Sequence, residues 1–203
     1  HPDLSTTVAL AEEDEVGGGR LRLAAGTEMT AKNMVYSALV GSANNAAMSL
    51  MRLSGLSKEA FLSEMNAEAK KLGMTSSTFV DPSGIEPENL TTARDYAKLM
   101  DHAMTIPDIR RATQTGTYVF LTKNPEIKKT IKNTNDLLRD DNNGLWITGG
   151  KTGYIEESMY NLAVTVQTPA RKKELVVVLL GADSKKKSFD EVAKLTKWSW
   201  KSY

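Results

Sequence analysis

The sequence has no cysteine and only two histidines among its 203 residues. Without cysteine, neither a disulfide framework nor a thiolate metal site can form. His1 is the first residue and His102 lies in a helical pattern, so neither a Ser-His-Asp triad nor a multi-histidine metal site is expected. Any catalysis by this chain must therefore depend on other side chains.

The chain also lacks an excess of one charge and a long apolar run. The 26 lysines and arginines nearly balance 25 aspartates and glutamates, which leaves a net charge of +1 and no basic stripe for nucleic acid. No apolar segment approaches the roughly 18–20 residues needed to span a bilayer. The N-terminus has neither the charged leader nor the apolar segment of a signal peptide, and it is not methionine. We therefore expect a processed or trimmed chain, with length for one substantial domain or two small ones.

The distribution of apolar residues predicts an α+β fold. From about residue 27 to 115 they recur at helical spacing, and Thr30, Ser57 and Thr92 stand where helix caps are expected. From about residue 116 to 203 we predict strands, beginning with a hairpin of residues 118–121 and 127–131. Ser188 and Glu191 have the spacing of a capping box for a C-terminal helix.

Three later segments predict an antiparallel meander. One strand begins near Trp146, residues 160–167 alternate in polarity as in a half-buried strand, and residues 174–180 are almost all apolar, as in a strand buried on both faces. The prediction is one domain over residues 1–203, in which a helical cluster packs beside this sheet.

An acidic run at residues 12–15 precedes three glycines at residues 17–19. This composition favours a charged, flexible loop whose carboxylates face solvent. A metal site is the less favoured interpretation of the same run.

The triplet Lys151-Thr152-Gly153 is the first motif with chemical content. Lysine supplies a fixed cation and threonine a hydroxyl donor, which together can hold a carboxylate. Glycine lets a substrate lie close to the backbone, and on the strand that begins near Trp146 a peptide could add as a further strand. The triplet alone is weak, because a lysine on a strand before a turn explains it equally well.

A second motif, Ser42-Ala43-Asn44, makes the evidence from the Lys151-Thr152-Gly153 triplet more specific. With its flanks, the chain resembles the serine-type D-alanyl-D-alanine carboxypeptidases, the low-molecular-weight penicillin-binding proteins, over nearly its whole length. The motifs that carry the resemblance stand in the family's order: residues 39–47, 70–74, 78–79, 81–84, 91–95, 133–138, 151–153 and 160–162. The resemblance implies the penicillin-binding-protein and β-lactamase fold and no metal or organic cofactor.

The resemblance also implies a role for each motif residue. Ser42 and Lys151 would be catalytic, with Ser42 passing protons toward the leaving amine while it contacts Lys151. Asn44 would hold the substrate amide, and Lys151 with Thr152 would bind the terminal carboxylate. Against this, Ser42 can be explained as a helix-breaking cap, and Asn44 and Asn45 as turn formers.

Two further residues complete the implied substrate-binding set. Gly153 would allow the substrate backbone to approach, and the backbone N–H of Tyr154 would be one oxyanion donor. Asn133 and Asn135 are expected to structure their loop instead.

The chain departs from the family because no Ser-x-x-Lys motif precedes Ser42. The one literal match, at residues 184–187, follows the last predicted strand in a charged turn, and we interpret it as accidental. The family's nucleophile helix and early strands also have no counterpart, so we expect about three of its five strands here.

Two explanations remain for the missing motif: a piece of a longer enzyme, or a protein that has lost catalysis. We favour the first, because loss of a central helix would expose apolar surface at a cost of roughly 25 cal/mol per Å². By itself this chain is expected to be inactive.

The family's function implies peptidoglycan stem peptides ending in D-Ala-D-Ala as substrate and β-lactam antibiotics as inhibitors. It also implies a place in the periplasm or at the cell surface, with a signal peptide, and a membrane anchor if there is one, outside this chain. A non-catalytic peptidoglycan-binding module is the alternative. A β-lactamase ranks lower, because Ala43 replaces the aspartate of Ser-Asp-Asn and residues 86–90 poorly match the context of its glutamate.

Overall fold

The computed structural model describes residues 3–140, 142–170 and 173–202, so His1 lies outside the described residues. Its α+β architecture confirms the predicted fold class. The first part has a small antiparallel sheet of Thr7–Ala9 (β1) and Glu28–Thr30 (β2), joined through a 3-10 turn at Glu12–Asp14. Five helices follow: Ala31–Val40 (α1), Asn44–Leu53 (α2), Lys58–Lys71 (α3), Ala93–Ala103 (α4) and Pro107–Gln114 (α5).

The three predicted helix caps are confirmed. The side-chain oxygens of Thr30, Ser57 and Thr92 each accept a hydrogen bond, 3.2 Å long, from the backbone N–H three residues later. Each bond satisfies one of the donors that a helix start leaves without an intrahelical partner.

The second part of the chain forms the other two sheets. Thr117–Leu121 (β3) and Lys128–Lys132 (β4) make the predicted antiparallel hairpin, and the short helix Asp136–Arg139 (α6) follows it. Trp146–Ile155 (β5), Met159–Gln167 (β6) and Glu174–Ala182 (β7) then form an antiparallel sheet in that order, which confirms the predicted meander. Within the described residues, β5 pairs only with β6, so its other edge is open.

The burial of the two later strands differs from the prediction. β6 is the central strand and is covered on both faces: Leu162 and Val164 pack against the C-terminal helix Lys185–Ser202 (α7), while Ala163 packs against α4. In β7 only Val177 and Ala182 are fully buried. The apolar composition of a strand shows that it packs, but the topology decides whether it lies at the centre or the edge.

The start of α7 also differs from the prediction. The helix begins at Lys185, and the Ser184 hydroxyl accepts a bond from the Lys187 N–H at 3.2 Å. Ser188 is a buried residue inside the helix and donates to the Lys185 carbonyl at 2.7 Å, so the predicted capping box at Ser188 is wrong. The helix starts one turn earlier because Ser184 offers a cap directly after β7.

The acidic run was predicted to be solvated, and for Asp14 this is wrong. Its side chain is 2% exposed and accepts bonds from Arg52 at 2.9 Å, from Ser49 at 2.6 Å and from the Ala11 N–H at 2.9 Å. Asp14 thereby ties the 3-10 turn to α2. A buried carboxylate with these partners is held as an ion, which fixes the start of the glycine-rich segment that follows.

None of the helices in the described part of the chain is both long enough and apolar enough to cross a membrane.

Candidate active site

The three-residue turn between α1 and α2, residues 41–43, holds Ser42 and Ala43 of the motif, and Asn44 is the first residue of α2. Ser42 has φ 56°, a left-handed conformation that is uncommon for residues other than glycine. The N–H groups of Gly41 and Ala43 both donate to the Ser37 carbonyl, at 3.2 and 3.1 Å, and hold the turn in this shape. A strained residue fixed by its surroundings is a frequent feature of functional sites.

The glycine-rich segment lies directly against this turn. The Asn44 N–H donates to the Gly19 carbonyl at 2.7 Å, and the Asn44 side-chain amide donates to the Gly17 carbonyl at 3.0 Å. A Cβ at Gly19 would lie 2.4 Å from the Ser42 carbonyl oxygen, so only glycine allows this approach. The segment therefore orients the Asn44 side chain.

Asn45 holds both ends of the same segment. It is 1% exposed, its amide donates to the Glu15 carboxylate at 2.6 Å, and its carbonyl accepts from the Leu21 N–H at 2.9 Å. The sequence suggested only that Asn45 forms a turn. Its partners lie 24 and 30 residues away, which no local pattern reveals.

Lys151 contacts the Ser42 turn from β5, and we call the junction of these two elements the cleft. Its Nζ donates to the Ser42 Oγ, although the two residues are 109 positions apart in the chain, and also to the Thr152 carbonyl at 2.8 Å. Lys151 is half-buried, and burial of its ammonium group lowers the pKa from 10.5 to about 8. The cleft thus holds a lysine that can give up its proton near neutral pH, in contact with a hydroxyl.

Thr134 connects the two walls of the cleft and was missed by the sequence reasoning. Its N–H donates to the Val40 carbonyl at 3.1 Å, at the end of α1, and its Oγ1 lies 2.6 Å from the Oγ1 of Thr152. The only signal in the sequence was its place between Asn133 and Asn135, which were expected to structure their loop. In the structure both asparagines are buried. Thr134 fixes the distance between the Ser42 turn and β5.

The backbone of β5 presents polar groups at its open edge. The Thr152 carbonyl faces the cleft, where Lys151 donates to it. In a strand the N–H and C=O of one residue point to the same side, and every second residue repeats that direction. The N–H of Tyr154 therefore also points to the open edge, and Gly153 between them is exposed.

The six predicted site residues thus fall on three adjoining elements: Ser42 is in the turn after α1, Asn44 begins α2, and the other four lie on the edge strand β5. Ser42 contacts Lys151 directly. A groove of about 310 Å³ lies elsewhere, between α4, β7 and α7. Its lining is mainly apolar and includes none of the predicted residues, so it does not suit a charged peptide end. Among the described residues, no group of three or more His, Asp or Glu is arranged to hold a metal.

Comparison of the sequence with known proteins identifies a family and several relatives. The family described as D-alanyl-D-alanine carboxypeptidase matches residues 3–184. The chain is 31% identical to the D-alanyl-D-alanine endopeptidase of Escherichia coli over 97% of its own length and 62% of that protein's. It is 30% identical to D-alanyl-D-alanine carboxypeptidase DacF of Bacillus subtilis, over 93% of this chain and 47% of DacF. The chain therefore spans about half to three fifths of the length of these relatives.

Solved structures share the fold. A D-alanyl-D-alanine carboxypeptidase from Mycobacterium tuberculosis superposes with a TM-score of 0.85 at 26% identity, over 98% of this chain and 75% of that one. A mutant of the Streptomyces K15 DD-transpeptidase gives a TM-score of 0.89, over 97% and 80% of the two chains. At 24% identity, that second similarity shows the fold alone.

Proposed function

The chain belongs to the D-alanyl-D-alanine carboxypeptidase family, and we propose that the full-length protein removes the terminal D-alanine of cell-wall peptides by serine acyl transfer. The contact between Lys151 Nζ and Ser42 Oγ, beside the Thr152 hydroxyl, supports this most directly. It places a cation, a proton-carrying hydroxyl and a second donor in one cleft. Residues 1–203 would form part of a single transpeptidase-like domain.

Substrate binding follows from the open edge of β5. The terminal carboxylate of the peptide would lie against Lys151 and Thr152, and the peptide backbone would add to the edge of the strand. Asn44 is held by Gly17 through its NH₂ group, which leaves its side-chain oxygen for a substrate N–H. The N–H of Tyr154 would stabilise the oxyanion.

The chemical step would break the bond between the last two residues. A serine hydroxyl attacks the carbonyl carbon, D-alanine leaves with a proton on its amine, and water then releases the shortened peptide. Ser42 would deliver that proton, because it contacts Lys151, and a pKa of about 8 allows Lys151 to exchange protons near neutral pH.

The nucleophilic serine would come from residues outside this chain. The chain's one Ser-x-x-Lys match does not form a nucleophile and base pair: Ser184 caps α7, and Lys187 is bonded to Asp183. The chain alone would then bind the peptide end without cleaving it. Because cell-wall peptides lie outside the cytoplasm, we place the protein there, with β-lactams as inhibitors.

An endopeptidase is the second candidate function. The E. coli, Haemophilus influenzae and Pseudomonas aeruginosa relatives, at 30–31% identity over at least 91% of this chain, are D-alanyl-D-alanine endopeptidases. Such an enzyme would cut a D-alanyl bond within a cross-linked peptide. The two activities differ in the group that follows the cleaved bond.

Product analysis of the full-length protein, including any residues that precede His1, tests the proposal. A peptide ending in D-Ala-D-Ala should release D-alanine, a D-Ala-L-Ala peptide should not, and a cross-linked dimer measures the endopeptidase activity.

A fluorescent penicillin should label the full-length protein and not this chain alone. If neither peptide nor dimer is cut and no label is bound, the proposed function is wrong. Covalent labelling of the isolated chain would contradict the external nucleophile.

The pH dependence of kcat/KM should report the protonation state of Lys151. Its lowered pKa means that the ammonium form, which holds the substrate carboxylate, is lost as pH rises through about 8. We expect kcat/KM to fall on the alkaline side with an apparent pKa near that value. Lys151→Arg keeps a cation at every pH and should remove this limb, although its activity is lower. A native profile that is flat or rising between pH 7 and 10 would contradict the role of the protonated lysine.

A further inference from the structure

The strand that carries Lys151 is interrupted by a β-bulge at Thr148. In the register of β5 and β6, Ile147 pairs with Val166 and Gly149 pairs with Thr165, so Thr148 is an extra residue between the two pairs. Bulges beside active sites often re-aim a side chain.

Thr148 and Gly149 both face the helices α4 and α5. The Thr148 hydroxyl lies 3.1 Å from the Thr165 Oγ1. A Cβ at Gly149 would lie 2.6 Å from the Met104 Sδ and 3.0 Å from the Oγ1 atoms of Thr113 and Thr165. In an unbroken strand, two successive residues would point to opposite faces of the sheet.

The bulge therefore decides the face to which Lys151 points. Lys151 pairs with Ala163, which packs against α4, so its side chain lies on the face of the helices and reaches Ser42. If Thr148 faced the helices in an unbroken strand, Lys151 would lie three residues later on the opposite face, which α7 covers. The contact with Ser42 depends on the extra residue.

Side chains from α5 and β7 hold the bulge in place. The Thr148 hydroxyl donates to the carboxylate of Glu174, the first residue of β7, and the Thr148 carbonyl accepts from the Gln114 side-chain amide at 2.6 Å. Arg110 donates to both oxygens of Glu174, at 2.6 and 3.1 Å. The side chains of Arg110 and Glu174 are 34% and 29% exposed, so the ion pair is partly shielded from solvent.

We propose that Glu174 is a positioning residue for Lys151: its carboxylate, held by Arg110, anchors the bulge at Thr148 and so keeps the Lys151 side chain against Ser42. This inference rests on the proposed function. Hydrogen bonds to a charged group are roughly twice as strong as neutral ones, which suits a carboxylate to hold an irregular backbone. A displacement of about 1 Å at a catalytic group can cost about 10²-fold in rate, so an anchor three residues away affects the chemistry of Lys151.

Thr148→Val tests the anchor, because it removes the hydroxyl and keeps the branched shape and the charge of the site. With the full-length protein and a peptide ending in D-Ala-D-Ala, we expect kcat/KM to fall roughly tenfold to hundredfold. Thr148→Ser keeps the hydroxyl and should restore most of the activity. Glu174→Ala should lower kcat/KM as Thr148→Val does, and the double variant should be little worse than either, because both changes break the same link.

The alkaline limb of the pH profile separates positioning from a loss of charge. Burial lowers the pKa of Lys151 to about 8, so a Lys151 released toward solvent should lose its proton at higher pH. We expect the limb to move upward in Thr148→Val and in Glu174→Ala, toward the ordinary value of 10.5. Loss of the Glu174 charge without movement of Lys151 would shift the limb downward, because a carboxylate favours the ammonium form.

Thr196→Val is the matched control. The side chain of Thr196 is fully buried, and its hydroxyl donates to the Val192 carbonyl at 2.8 Å within α7, on the other face of the sheet. The variant removes a buried hydroxyl as Thr148→Val does, so urea unfolding should show a similar loss of stability. Its kcat/KM and its alkaline limb should remain native.

The outcomes distinguish the inference from the function beneath it. If Thr148→Val keeps native kcat/KM, or loses activity while its alkaline limb stays in place, Glu174 does not position Lys151 and the proposed function stands. A Thr148→Ser protein as impaired as Thr148→Val would also overturn the anchor. If the native protein releases no D-alanine, the proposed function fails and the inference fails with it. Should Glu174→Ala not fold, the isosteric Thr148→Val tests the same link.

Discussion

Replacement of Lys151 by alanine should lower kcat/KM for D-alanine release by the full-length protein on the order of 10³-fold. The change removes the cation that would hold the substrate carboxylate and the donor that contacts Ser42. Loss of an acid–base group or of an electrostatic donor each costs about 10²-fold or more. Steady-state kinetics with a peptide ending in D-Ala-D-Ala measure the effect.

Stability provides the control for this variant. Because burial lowers the pKa of Lys151, the folded state disfavours the ammonium form, so loss of the lysine should not destabilise the protein at pH 7. Lys151→Met, which keeps the length of the side chain, should be as inactive as alanine and at least as stable as the native protein. Lys132→Ala, at an exposed position on β4, should retain full activity. A Lys151→Ala protein within tenfold of native kcat/KM would contradict the proposed role.

Replacement of Asp14 by alanine should lower the free energy of unfolding by about 3 kcal/mol. The change leaves Arg52 without its carboxylate partner and removes the acceptor for Ser49 and the Ala11 N–H. Breaking a buried ion pair costs about 3–5 kcal/mol, and the value here should be at the low end because the Arg52 side chain is 35% exposed. Urea unfolding of native and variant proteins measures the difference.

Glu13 offers a matched control for Asp14. It lies 3.5 Å from the same arginine, but its side chain is 72% exposed, so Glu13→Ala should change stability by less than about 1 kcal/mol. A Glu13→Ala effect as large as that of Asp14→Ala would show that burial of Asp14 is not the cause.

Acid should remove the contribution of Asp14 to the free energy of unfolding. Burial alone would raise the pKa of its carboxyl group, but hydrogen bonds from Arg52, Ser49 and the Ala11 N–H lower it below the ordinary value of 3.8. A carboxyl whose pKa is lower in the folded state contributes stability above its unfolded pKa, and loses it as pH falls through the folded value. The difference between native and Asp14→Ala should therefore shrink below about pH 4. A difference that persists unchanged at pH 2 would contradict the ionised pair.

The sequence was sufficient for the fold class, the meander and three of the four predicted helix caps, because each depends on local periodicity or on a single cap residue. It was insufficient for burial, since that depends on neighbours distant in the chain. Asp14 stands in an acidic run and is buried only because Arg52 lies opposite it. Likewise β6 and β7 have similar apolar content, and only the order of strands in the sheet makes β6 central.

In the candidate site, too, the sequence identified motif residues but not the contacts between distant parts of the chain. Ser42 and Lys151 could be selected only because motifs occur in one order along the chain, and nothing local to either residue predicts their contact. Thr134 and Asn45 were missed as site residues because their roles consist of hydrogen bonds to β5, α1 and the glycine-rich segment. Side chains that position a site through distant partners leave little trace in a single sequence.

A crystal structure of the full-length protein with a bound peptide ending in D-Ala-D-Ala tests the cleft most directly, in a variant whose nucleophile has been removed. The terminal carboxylate should lie within about 3.2 Å of Lys151 Nζ or Thr152 Oγ1. The peptide backbone should pair with the open edge of β5, with Asn44 on its other side. A peptide bound away from β5, or with its carboxylate directed away from Lys151, would contradict the proposed site.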